Sequence, residues 1–109
     1  MRAAWIAASL AFAITVPRTA HADDWRFCLA AARAQHKVFM SGSFQTTTPM
    51  ETLQSDFADE LDRRGIAHDE VQCPRGGDRA AIAEMQQYAI GFNREMGNGI
   101  VRVEWKPAR

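Results

Sequence analysis

"DDWRFCLAAARAQH", Asp23 to His36, decides how this chain folds, because two local rules read it in opposite ways. Asp23 or Asp24 can cap a helix, and "LAAARAQ" (Leu29 to Gln35) is made of strong helix formers. At a period of two, Trp25, Phe27 and Leu29 instead fall on one side of an extended strand. The strand is preferred and the helix is its alternative, because a strand at Cys28 can be bridged easily to a neighbouring strand that carries Cys73. Its alanine-rich tail then turns into Lys37.

The bridge follows from where the chain is expected to go. Met1-Arg2 is a short positive start, and "AAWIAASLAFAITV" (Ala3 to Val16) is an uncharged apolar run. That run is shorter than the roughly 20 residues that cross a bilayer. Pro17 breaks it, and Ala20 and Ala22 have the small-x-small arrangement of a signal-peptidase site. Residues 1–22 are therefore expected to be a cleaved signal peptide, cut between Ala22 and Asp23. Residues 23–109 form a single small domain, periplasmic or secreted, with no stable membrane insertion. In such a domain an even cysteine count reads as a disulfide, and Cys28 and Cys73, 45 positions apart, allow one pairing. They lack the C-x-x-C spacing of a redox or zinc pair.

Charge narrows the partners. Arg2 and Arg18 belong to the leader, so 11 of the 13 basic side chains remain against 13 acidic ones, about −2 with neutral histidines. Nucleic-acid binding needs a clear basic excess on one face, so no nucleic-acid partner is expected.

Further along, "KVFMSGSF" (Lys37 to Phe44) is β-leaning, with Val38, Met40 and Phe44 on one side and Gly42 a bulge candidate. Thr48, Pro49 and Glu51 read as a capping box ahead of a helix whose apolar residues Met50, Leu53, Phe57 and Leu61 share one face. Gly65 ends that helix. A short strand to Cys73 follows, then Asp78 caps a second helix. There Ile82, Met85, Ala89, Phe92 and Met96 form a stripe expected to pack on a core. Gly97 to Gly99 turn the chain into "IVRVEW" (Ile100 to Trp105), where Val101, Val103 and Trp105 alternate with Arg102 and Glu104. The predicted fold is α+β: β-β-α-β-α-β, a small sheet with two helices on one face and one disulfide.

The order "C…VFMSGSF…LQSDFADEL…QC…FNREMG…VRVEW" resembles a loose group of small exported bacterial proteins with one cysteine pair around strand-helix-strand-helix-strand. The resemblance spans most of the mature chain, implies export and this fold class, and brings no catalytic residue with it.

Candidate chemistry is sparse. "VQCPRGGDRAA" (Val71 to Ala81) has the outline of a phosphate loop, with Arg75 and Arg79 as candidate anion contacts. It lacks the G-x-x-x-x-G-K-[ST] and G-x-G-x-x-G patterns, and Asp78 supplies its own carboxylate where an anion would sit. The simpler expectation is that Pro74 to Gly77 turn the chain from a bridged strand into a capped helix. His36 and His68 are candidate ligands without a second His or Cys at metal-binding spacing, and four methionines, Met40, Met50, Met85 and Met96, are mostly explained by packing. Ser41 or Ser43 with His68 and Asp69 makes a hydrolytic triad on paper only. The adjacent acids Asp69 and Glu70 should project apart into solvent. Tyr88 and Trp105 are candidate partner contacts. No metal, cofactor or catalytic residue is expected. The reading is a non-enzymatic binding or interaction module of inhibitor, immunity or envelope-accessory kind, whose partner is a protein or envelope component. The alternatives are a small-ligand or metal-binding accessory protein and, third, a small hydrolase.

Overall fold

The segment from Asp24 onward is extended, as its period-two pattern requires. It forms β1 (Asp24–Arg26) and β2 (Leu29–Ala32), one strand course with a break at Phe27-Cys28. The structure is a computed structural model that describes residues 24–108; the expected signal peptide, residues 1–22, lies outside the described residues. Helix propensity in "LAAARAQ" survives only as a 3-10 turn at Arg33–Gln35, which His36 closes in the left-handed region at φ 55°. Tertiary pairing on both sides of β2 overrides the local preference.

That course pairs with two others. On one side lie β3 (Lys37–Ser41) and β4 (Phe44–Thr46), and on the other β5 (Val71–Gln72) and β6 (Arg75–Gly76). After the second helix, β7 (Gly99–Val103) runs parallel to β3. The result is a small α+β domain with two sheets, a three-stranded β4-β1-β6 and a four-stranded β5-β2-β3-β7. Residues 75 and 76, expected as turn, instead continue the strand beyond Cys73-Pro74 because β1 offers them a partner.

Register explains both the expected disulfide and the expected bulge. Leu29 faces Gln72 and Arg26 faces Arg75, so an unbroken offset places Cys28 opposite Cys73. Their disulfide joins Cα atoms 4.0 Å apart. On the other side Leu29 faces Met40 but Arg26 faces Phe44, a slip of one residue that makes Gly42-Ser43 a bulge. Ser41 closes the break: its Oγ accepts from the Cys28 N–H at 2.9 Å, and its own N–H donates to the Cys28 carbonyl at 2.9 Å. The bulge also flips the alternation, so Phe44 faces away from Val38 and Met40.

Helix α1 (Met50–Arg63) turns Leu53, Phe57 and Leu61 onto Cys28, Ala30, Ala32, Phe39, Phe44 and Val103, with Trp105 edge-on to Phe44 at 5.8 Å. Each such side chain contributes roughly 1.5–3 kcal/mol of burial. The helix starts from Pro49 rather than from the expected Thr48 capping box, and Pro49 has no side-chain capping bond. Gly65, at φ 74°, ends it as expected: Ile66 N–H bonds the Leu61 carbonyl and Gly65 N–H that of Asp62, satisfying the last carbonyls of the helix.

Helix α2 (Arg79–Glu95) starts at Asp78, whose Oδ1 accepts from the Ala81 N–H at 2.8 Å. It packs on the opposite side of the strands. Phe27, Met40, Ile82 and Ile90 form a second core, separate from that of α1. The expectation of two helices on one face is therefore corrected to one helix per face. The physical reason is in β1 and β2, where Cys28, Ala30 and Ala32 meet α1 while Trp25, Phe27 and Leu29, also apolar, demand a cover of their own.

Candidate functional site

Under α2 the cover is incomplete. Ile82 and Ile90 point inward at a spacing of eight, with Gln86 midway; its amide donates to the Ser41 carbonyl at 3.1 Å. Of the expected core stripe Ile82, Met85, Ala89, Phe92 and Met96, only Ile82 is buried and Ala89 half-buried. Met85, Phe92 and Met96 are 38%, 48% and 62% exposed, and the packed stripe is corrected accordingly. The helix sits rotated from that stripe because the step of four through Gln86 brings both isoleucines and a bonded amide onto the sheet.

The rotation opens a groove of about 640 Å³ between α2 and the strands. Phe27, Leu29 and Val38 lie along its sheet side, and Met85, Tyr88 and Phe92 along its helix side. Tyr88 and Phe92, one helical turn apart, stack with ring centroids 6.2 Å apart and planes 15° apart. Such a pair presents a flat apolar surface. Tyr88, singled out from the sequence, is 74% exposed here.

The groove's polar end is organised by Arg33. Its guanidinium bonds Glu70 through Nη1 at 3.4 Å and Nη2 at 3.3 Å, and its N–H donates to Asp69 Oδ2 at 2.8 Å. The two adjacent carboxylates, expected to project apart, converge on one arginine, since the Asp69 N–H is held by the Ala31 carbonyl at 2.6 Å. The hydrogen bond from Arg33 holds the Glu70 carboxyl below its ordinary value, and the bond to Glu70, then the charge of Asp69, raises Arg33. Glu84 also stands on this rim, so carboxylates outnumber the one guanidinium.

The other candidates are not brought together. Arg75 pairs with Asp24 at 3.6 Å, and the Arg79 guanidinium lies 5.1 Å from the centre of the Trp25 ring. Both thereby fix the turn to β1, and the Asp78 carboxylate fills the helix cap between them. His36 is exposed at the 3-10 turn, and its carbonyl accepts from the Gly99 N–H at 2.8 Å. His68 is largely buried; Nδ1 meets the Asp69 carbonyl at 2.7 Å and Nε2 meets Asp62 Oδ1 at 3.1 Å. Those contacts engage both ring nitrogens, so the ring links α1 to the Asp69 segment and is not joined to Ser41, which is fully buried in the strand break. Trp105 packs on Phe44 and Phe57 at the α1 face. Met40 alone of the four methionines is buried. Among the described residues no three His, Cys, Asp or Glu side chains are grouped to hold a metal, and no helix is long and apolar enough to cross a membrane.

Of the exposed side chains along the groove, sequence reasoning singled out Tyr88 and assigned Met85 and Phe92 to the packed stripe instead. The signal was present: Gln86 amid apolar residues offered a second inward face through Ile82 and Ile90, which left Met85 and Phe92 to the side. Comparison with protein-family models, with curated proteins and with solved structures finds no match.

Proposed function

We propose that the protein is a non-enzymatic binding module of the periplasm or cell exterior. It receives an apolar segment of a partner protein, with a basic residue beside it, along the groove under α2. The observation that carries this reading is the exposure of Met85, Tyr88 and Phe92 over an apolar floor of Phe27, Leu29 and Val38. Contiguous apolar patches on small proteins mark interaction surfaces, and aromatic and methionine side chains are enriched in them. Glu70 and Glu84 on the rim, against Arg33 alone, favour a basic neighbour on the partner. The Cys28–Cys73 disulfide supports an oxidising compartment. A small apolar ligand is the second reading, since about 640 Å³ lies within the size range of small-molecule sites.

A photo-crosslinking residue in place of Phe92, compared with one in place of the exposed Ser55 on α1, tests the proposal in intact cells. A discrete protein adduct from position 92 and none from position 55 is expected. Equal adducts from both positions, or none from 92, would overturn it. A small apolar molecule retained by the protein in native mass spectrometry would favour the second reading.

A further inference from the structure

The outer side of β7 is the longest strand edge left without a partner among the described residues. β7 has five residues and pairs only with β3. The opposite edge is cut into two-residue strands by Cys73-Pro74, and β4 has three residues. Short strands and proline are ordinary ways of blunting an edge, whereas β7 carries Ile100, Val101 and Val103 and meets no proline before Pro107. The Gly99 N–H donates to the His36 carbonyl, so Gly99, Val101 and Val103 turn their main-chain groups to β3. Ile100 and Arg102 turn theirs outward, and just beyond the strand the Glu104 carbonyl accepts from Arg64 Nη2.

We propose that β7, continued through residues 104–106, pairs antiparallel with the same segment of a second copy of this chain, about a two-fold axis at Val103. Charge selects the register. With the axis at Val103, Arg102 lies opposite Glu104 of the second copy, twice by symmetry, and both residues are exposed. An axis one residue earlier sets Arg102 against itself, and one residue later Glu104 against itself; like charges directly opposite are destabilising. On the α1 face the same register brings Val103 against its copy and Val101 opposite Trp105, an aromatic–β-branched pair. Pro107 falls outside the paired stretch of residues 100 to 106, so no proline interrupts the ladder. Arg64 Nη2 already donates to the Glu104 carbonyl at 2.8 Å, which leaves that oxygen a second lone pair for the Arg102 N–H of the other copy. The two four-stranded sheets then join into one. The groove stays open, because it lies over β2 while Ile100 of β7 packs under α2.

Sedimentation of the purified full chain with its disulfide intact, across a concentration series, tests this. A reversible monomer–dimer equilibrium is expected. Arg102→Glu and Glu104→Arg should each weaken it by about tenfold or more, as two attractive pairs become repulsive. The double exchange R102E/E104R should restore it. Mixing the two single variants should also give a dimer, because the mixture again sets opposite charges across the axis at both positions. Circular dichroism should show the fold unchanged, since both side chains are exposed. A monomer at every concentration, a dimer indifferent to the single exchanges, or single exchanges that neither the double exchange nor mixing repairs would each overturn the proposal.

Discussion

Helix α1 turns Leu53, Phe57 and Leu61 inward and all three are 0% exposed; α2 is longer, yet of its large apolar side chains it buries only Ile82 and Ile90 and leaves Met85, Tyr88, Phe92 and Met96 on the surface. The disulfide, the Trp105 contacts and most of the buried residues lie on the α1 face. Stability is thus concentrated on one side of the sheet. The other side can keep an open apolar groove because the fold does not depend on closing it.

The largest effects should separate the two faces. Phe57→Ala removes a fully buried ring from the α1 core and should lower unfolding free energy by about 3–5 kcal/mol in a urea titration. Phe92→Ala removes a ring already half in water and should stay within about 0.5–1 kcal/mol. Equal losses at the two positions would break the comparison. Replacing both Cys28 and Cys73 by Ala should cost about 2–5 kcal/mol, because their bond closes a loop between residues 45 apart in sequence. A double variant as stable as the parent would show that the α1 core suffices without its bridge.

A smaller effect should sharpen how α2 is fixed. A Cβ on Gly76 would lie 2.9 Å from the Ile82 backbone nitrogen, closer than atoms can pack, whereas one on Gly77 would meet nothing within 4 Å. Gly76→Ala should therefore lose about 1–3 kcal/mol and Gly77→Ala almost nothing, measured by the same titration. If both are silent, the helix start is free to shift, and the groove beside it is less fixed than its geometry implies.

Much of this fold was legible because its signals were redundant. The extended course of residues 24–32 was supported both by the alternation of Trp25, Phe27 and Leu29 and by the need to reach Cys73, and these agreed against helix propensity. Gly65 and Asp78 marked helix ends through chemistry that is local. What failed was the orientation of elements relative to one another. Period-two reading says that a strand has two faces, but not that Cys28, Ala30 and Ala32 suffice for one helix while Phe27 and Leu29 require another. On α2 an apolar band wide enough to hold two stripes left the inward one undetermined, and the deciding contact, Gln86 to the Ser41 carbonyl, joins residues 45 apart in sequence. The groove was invisible for the same reason, since it exists only once that rotation is set.

The smallest predicted effect compares the ionic ends of the two faces. Arg64 holds Glu60 of α1 below the ordinary glutamate value through a 2.7 Å bond, with Arg63 also in contact, and Arg33 does the same for Glu70 at the groove rim. A carboxyl whose folded-state value is depressed stabilises the fold above its unfolded value, and that contribution is lost as pH falls through the folded value. Melting temperature should therefore decline as pH drops below the ordinary glutamate range, with neither carboxylate contributing at neutral to mildly basic pH any dependence of its own. Glu60→Gln and Glu70→Gln should each flatten part of that decline, and both shifts should be small because Arg33 and Arg63 are largely exposed, Arg64 is partly so, and solvent screens these pairs. The two variants differ in a second readout. Glu70→Gln loosens Arg33 at the groove and should alter crosslinking through position 92, whereas Glu60→Gln acts on the closed face and should leave it unchanged. If Glu60→Gln changes the crosslink as much as Glu70→Gln does, the two faces are coupled through the sheet, and the division of labour between them fails.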